Sequence, residues 1–187
     1  MKVLVVYASR AGSTKGIAEY IGEKLRNGQT LVDVKEAASA VNVGDYDAFV
    51  VGSAVYEWHW VKAAKEFVLR NRFALAGKPV WLFSSGPTGP KLTDSKGRDL
   101  RSTSVPKDLE ELRRYVNPRD HRVFFGALYP EKLKGAAGFF ARAIPQEERG
   151  DFRDWNDIGS WVEQISAALA AQQGDRQSGL APSQLGA

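Results

Sequence analysis

Val3-Leu4-Val5-Val6-Tyr7, then Ala8, then Ser9-Arg10-Ala11-Gly12-Ser13-Thr14, running into a helical pattern near Lys15: this opening stretch decides how the chain is read. The apolar run predicts a buried strand. It delivers the chain to a sharp turn where small hydroxyl residues and one glycine let the backbone approach an anion. The helix that follows presents first-turn N–H groups with no partner inside the helix. Such a turn is a phosphate cradle. It lacks the Gly-x-Gly-x-x-Gly dinucleotide pattern and the Gly-Lys-Ser/Thr ending of an ATP-type phosphate loop. It offers Ser9, Ser13 and Thr14 around Gly12, neutral donors suited to a monophosphate, with Arg10 either adding a charge or standing in solvent. The alternative is local: Ser13 or Thr14 caps the helix and binds nothing.

Working outward, short apolar runs at residues 3–7, 31–34, 48–53, 80–84 and 123–128 read as strands, rich in β-branched and aromatic side chains. Between them Ile17, Ala18, Ile21 and Leu25 recur at helical spacing, as do Val61, Ala64, Val68 and Leu69. A further helix is predicted over about 106 to 115, and Ile158, Trp161, Val162, Ile165 and Leu169 mark a last one. Strands alternating with helices imply an α/β, doubly wound parallel sheet of five strands with helices on both faces. Ligands of such sheets lie outside the carboxyl ends of the strands, so the loops after strands one, three and four are the ones to inspect.

The second of these loops crowds aromatics and a histidine into residues 52–60: Ser53, Ala54, Val55, Tyr56, Glu57, Trp58, His59 and Trp60 follow Gly52. Tyr and Trp faces stack on a flat heteroaromatic ring, and neighbouring backbone amides can reach its polar edge. Tyr56 and Trp58 are read toward a ligand; Trp60 is read as an anchor for the next helix. His59 is either a proton donor or a surface residue. The third loop, Ser84-Ser85-Gly86-Pro87 and onward, lets backbone approach a ligand closely, or is an ordinary turn.

At 187 residues the chain suits one domain with a sizeable core, expected over residues 1–171. Polar insertions at 88–105 and 129–154 exceed a minimal fold, the first having the length of a lid. Residues 172–187 read as a disordered tail. The absence of cysteine excludes disulfides, thiolate metal sites and cysteine nucleophiles, so redox chemistry requires a bound cofactor. No metal site is expected. A strand begins within two residues of the start without a secretory pattern, which points to a cytoplasmic protein. No run approaches the roughly 20 apolar residues of a spanning helix. The net charge of +4 suits anionic partners or is ordinary surface chemistry; no nucleic acid partner is expected.

Taken together, the three loops resemble the flavodoxin-like family, whose first loop holds the phosphate of FMN and whose later loops hold its ring. The resemblance implies strand order 2-1-3-4-5. Residues 7–14, 52–56, Gly126-Ala127-Leu128-Tyr129-Pro130 and Asp154-Trp155 are most similar to the menaquinone-dependent protoporphyrinogen oxidase branch. That branch implies an FMN-dependent oxidoreductase that oxidises a porphyrinogen and passes electrons to a quinone. The cofactor contacts it implies are Ser9, Arg10, Ala11, Gly12, Ser13, Thr14, Ser53, Ala54, Val55, Tyr56, Glu57, Trp58, Ser84, Ser85, Gly86 and Pro87. The branch also carries an insertion, here 131–144, where Leu133, Ala136, Ala137, Phe140 and Ile144 share a helical face flanked by Lys132, Lys134 and Arg142. This face either meets the inner surface of a membrane peripherally or packs on the domain. Competing readings are an electron-carrier flavodoxin and a non-catalytic module holding a flavin or deazaflavin.

Overall fold

The computed structural model describes residues 1–26, 30–133, 135 and 142–178. The chain enters β1 (Lys2–Ala8), α1 (Ser13–Leu25), β2 (Leu31–Glu36) and β3 (Ala48–Tyr56), then β4 (His59–Trp60), α2 (Lys62–Leu75) and β5 (Val80–Ser85). The short α3 (Leu100–Thr103) and α4 (Leu109–Val116) lead to β6 (Asp120–Phe124) and β7 (Ala127–Leu128). The chain closes with β8 (Gly150–Asp151) and α5 (Trp155–Ser178).

Five strands form a parallel sheet in the order β2-β1-β3-β5-β6, which is the expected 2-1-3-4-5 winding. Alternation along β1 explains why both faces are covered. Val3 and Val5 pack with Ile17, Ile21 and Leu25 of α1 and with Ile158, Trp161 and Ile165 of α5. Leu4 and Val6 pack on the other face with Phe67 and Val68 of α2 and Leu112 of α4. Each such buried side chain contributes about 1.5–3 kcal/mol relative to exposure. The ring of Phe83 in β5 lies over Gly52, where any side chain would overlap it. The register pairs Ala8 with Ser53, Ser53 with Ser84, and Ser85 with Phe124, so the ends of β1, β3, β5 and β6 form one row.

Several elements differ from the sequence expectation. The last core strand covers Asp120–Phe124 rather than 123–128, because its polar first residues have distant partners. Asp120 accepts the Trp161 indole N–H at 2.6 Å, and His121 meets Ser84. The chain then leaves the sheet at Gly126, and β7 pairs antiparallel with β8. Residues 52–60 are a hairpin rather than a loop: β3 runs on to Tyr56 and β4 returns along it. The helix expected from 106 begins at Leu109. Helix α5 continues through Ser178, beyond the expected domain end at 171, and residues 179–187 lie outside the described residues.

The 88–105 segment is a folded excursion. Thr93 bridges to Asp99, the Asp99 carboxylate caps α3, and Arg101 reaches Asp157 of α5 at 3.5 Å. Asp157 is also paired with Arg122 at 3.0 Å. Of the amphipathic segment 131–144, residues 134 and 136–141 lie outside the described residues. No helix among the described residues is long and apolar enough to cross a membrane.

Candidate functional site

The row of strand ends opens into a cleft of about 190 Å³. Its walls are Ser9, Ala11, Ser13 and Thr14 from the first loop, Ala54, Val55 and Tyr56 from the end of β3, and Ser85, Gly86 and Thr88 after β5. Gly126, Ala127, Leu128 and Ile144 complete it. A wider depression of about 560 Å³ adjoins it through Leu128 and extends over Tyr129, Glu131, Arg142, Gln146 and Arg149.

The first loop is shaped by Gly12, whose φ of 86° is left-handed and suits glycine. Gly12 N–H donates to Ser9 Oγ at 3.0 Å. Helix α1 begins there without any side-chain cap, so the capping alternative for Ser13 and Thr14 does not hold. Ser13 Oγ instead accepts the Ala127 N–H at 2.8 Å and lies 3.3 Å from Ser85 Oγ, bracing the first loop against the chain beyond β6. Gly126 permits this approach: a Cβ there would meet Ser85 Oγ at 3.1 Å and Ser13 Oγ at 3.3 Å. Thr14 is fully buried and its Oγ1 has no hydrogen-bond partner. A buried hydroxyl without a partner costs about 1–3 kcal/mol, so its position at the start of α1 marks a place for an acceptor from outside the chain. A phosphate oxygen fits that place, beside the helix N-terminus.

Arg10 does not line the cleft. Its guanidinium lies 4.6 Å from the centroid of the Tyr56 ring, fixing a positive charge on the rim. Burial pushes the Tyr56 hydroxyl up from its ordinary value, with the Arg10 charge opposing, so it stays protonated at neutral pH.

The hairpin turns through Glu57 and Trp58, whose φ values of 51° and 62° are both left-handed. Asn-Gly favours such a turn and these residues do not, so the turn holds strain. Trp58 projects outward, 57% exposed, and neither Glu57 nor Trp58 lines the cleft. Trp60 is buried and ties the return strand, rather than the next helix, to β5 through its indole N–H to Ser84 Oγ at 2.8 Å. Because the indole only donates, the Ser84 hydroxyl is free to donate onward to His121 Nε2, 2.9 Å away. Burial pushes His121 down to about 4, the Arg113 charge adds to the effect, and Asp120 opposes it.

Several expected contacts are therefore absent from the cleft wall. Ser53 and Ser84 are fully buried; Ser53 Oγ donates to Ala54 O and accepts the Val61 N–H, holding the hairpin to α2. Gly12 and Pro87 shape the loops without lining the cleft. Conversely, Thr88, Gly126, Ala127, Leu128 and Ile144 line it and were not among the expected contacts. The Gly126-Ala127-Leu128 run was the signal available for three of them.

A family model described as a flavodoxin domain matches residues 4–153. The chain belongs to the flavodoxin domain family. That membership places it among flavin-linked redox and electron-transfer proteins. It is similar to the quinone-type protoporphyrinogen IX dehydrogenase of Escherichia coli strain K12, with 22% identity over 176 residues covering 89% of this chain and 95% of that one. Among solved structures, a cysteine-to-serine variant of flavodoxin from Pseudomonas aeruginosa aligns with a TM-score of 0.58 and 17% identity, over 91% of this chain and 99% of that one. The rubredoxin oxygen:oxidoreductase of Desulfovibrio gigas aligns with a TM-score of 0.56 and 16% identity, over 92% of this chain and 37% of that one. At these identities the structural likenesses speak to the fold.

Proposed function

We propose that this flavodoxin-domain chain binds FMN in the cleft and acts as an oxidoreductase, taking electrons from an organic donor and passing them to a quinone. The observation that carries the cofactor reading is the buried, partnerless Thr14 hydroxyl at the uncapped start of α1. Thr14, the loop of Ser9 and Ala11, and the first-turn N–H groups would hold the phosphate. The walls formed by Ala54, Val55, Tyr56, Ser85 and Gly86 would flank the ring. Bound FMN supplies reversible two-electron chemistry, and the protein positions and insulates it. A deazaflavin phosphate fills the same outline, and the absorption spectrum of the loaded protein tells the two apart.

Support for the donor and acceptor is the similarity to the Escherichia coli enzyme, whose name gives protoporphyrinogen IX and quinone. The depression walled by Tyr129, Arg142 and Arg149 adds space beside the cleft for an organic donor. Anaerobic turnover with protoporphyrinogen IX and a menaquinone analogue tests the reading: reduction of bound FMN by the one and reoxidation by the other is expected. A protein that binds FMN yet exchanges electrons with neither is a carrier, and the enzymatic reading fails. Peripheral membrane contact through residues 131–144 belongs to the same proposal. Flotation with anionic liposomes that is equal with and without this segment removes it.

A further inference from the structure

The cleft and the depression beside it differ in charge. No carboxylate, histidine, lysine or arginine lines the cleft. The depression has Arg142 and Arg149 in its lining against one carboxylate, Glu131. None of these three side chains is in an ion pair among the described residues. The stretch from Lys134 to Ala141 adds no acidic residue that could neutralise the arginines. A lining with two cations and one anion thus adjoins a cleft with neither.

Arg149 is fixed in place. Its Nε–H donates to Ile144 O at 2.9 Å, and its Nη2 group donates to Ile144 O at 2.6 Å and to Arg142 O at 2.8 Å. These bonds fasten the guanidinium to the stretch of backbone that carries Arg142, and Ile144 of that stretch lines the cleft. Arg149 therefore stands where cleft and depression meet. Carbonyl partners orient a guanidinium without neutralising it. Of its five N–H donors, those on Nη1 have no acceptor within the described chain and remain for one from outside.

We propose that Arg142 and Arg149 form a carboxylate subsite, which selects donors with acidic arms and holds those arms in the depression while the flat body lies toward the cleft. This rests on the reading of the depression as the donor's seat. A guanidinium presents parallel N–H donors that match the two oxygens of a carboxylate. The cleft offers such a group no cation, so an acidic arm is stable only outside it. Protoporphyrinogen IX, with two propionate arms, belongs to this class of donor. A quinone has no carboxylate, so the subsite tells donor from acceptor.

The test uses FMN-loaded protein and two stable probes, protoporphyrin IX and its dimethyl ester, titrated in the same detergent and followed by porphyrin fluorescence. Wild type binds the diacid about tenfold or more tighter than the ester. Arg142→Gln cuts that preference about fivefold, the worth of one exposed ion pair, and Arg142→Lys keeps most of it. The FMN dissociation constant stays within about twofold of wild type in both variants, because Arg142 lies outside the cleft. Equal affinity for acid and ester in wild type, or a preference untouched by Arg142→Gln, overturns the subsite and leaves the donor's seat standing. The Arg149 Nε–H signal in nitrogen-15 spectra gives a readout without a porphyrin, since its bond to Ile144 O slows exchange with water. Glutarate at constant ionic strength shifts this signal saturably in wild type and binds about fivefold more weakly in Arg142→Gln, whereas neutral glutaramide leaves the signal in place. No saturable shift with glutarate overturns the proposal. Should wild type bind neither porphyrin, the porphyrinogen reading fails alone and the glutarate titration decides on the subsite.

Discussion

Acid should destabilise this protein through His121, and replacing that residue should remove the effect. In the folded chain His121 is driven from 6.5 to about 4, by burial first and the Arg113 charge second. The unfolded chain binds a proton below about pH 6.5 that the native chain refuses until about pH 4. Stability from the neutral imidazole is therefore complete above pH 6.5 and is lost as pH falls toward 4. Each tenfold difference in proton affinity between the folded and unfolded chain is worth about 1.4 kcal/mol, so at pH 4.5 the loss amounts to about 2.5 kcal/mol. The hydrogen bonds give the same sign. Ser84 Oγ already accepts from Trp60, so a protonated Nε2 would turn the Ser84 donor away from its acceptor. His121→Gln keeps a side-chain oxygen for Ser84 and cannot titrate. Urea unfolding followed by circular dichroism at pH 7 and pH 4.5 should show wild type losing about 2.5 kcal/mol more than His121→Gln, in line with the linkage above. The lowered carboxyls of Asp33, Asp94, Asp99 and Asp108 add their own acid sensitivity to both proteins and cancel in the comparison. Parallel losses in the two proteins would refute the reasoning.

Thr14→Val replaces the partnerless buried hydroxyl with a methyl of similar shape. Flavin-free protein should gain about 1 kcal/mol in urea unfolding while its FMN affinity falls about tenfold or more, and a loss on both counts contradicts the reading. Gly126→Ala drives a methyl against Ser85 Oγ and Ser13 Oγ. A stability loss of about 1–3 kcal/mol is expected by thermal or urea denaturation, and none would mean that the brace yields freely. Trp58→Gly relieves a left-handed residue in the hairpin turn and should raise stability by about 1 kcal/mol, so destabilisation would show that the exposed indole packs on something that matters.

The parts of the fold that were legible in the sequence are those whose cause is local. The β1 run and the Ser9 to Thr14 turn carry their own signals, apolar periodicity followed by small hydroxyl residues and a glycine, and the parallel sheet followed from strands alternating with helices, its strand order coming from the family resemblance. What was missed depends on partners far along the chain. Asp120 and His121 fell outside the strand expected at 123–128 because their partners, Trp161 and Ser84, lie 41 and 37 residues away. The β3–β4 hairpin was hidden because Glu57-Trp58 is not a turn sequence that favours positive φ. Ser53 and Ser84 were expected as cofactor contacts because the family resemblance implies them. Only the packing shows that Val61 and Trp60 take their hydroxyls. In the same way Ser13 suits either a cap or a phosphate by its position, and the Ala127 N–H shows that its oxygen braces the loop against the chain beyond β6 rather than capping α1.

The central claim is that the turn at the start of α1 holds the phosphate of a flavin. Equilibrium titration of the flavin-free protein with FMN and with riboflavin, read by flavin fluorescence, tests it most directly. The account predicts saturable binding of FMN, about tenfold or more tighter than riboflavin, with that preference abolished in Thr14→Val. Equal affinity for the two flavins, or no binding of either, would contradict it.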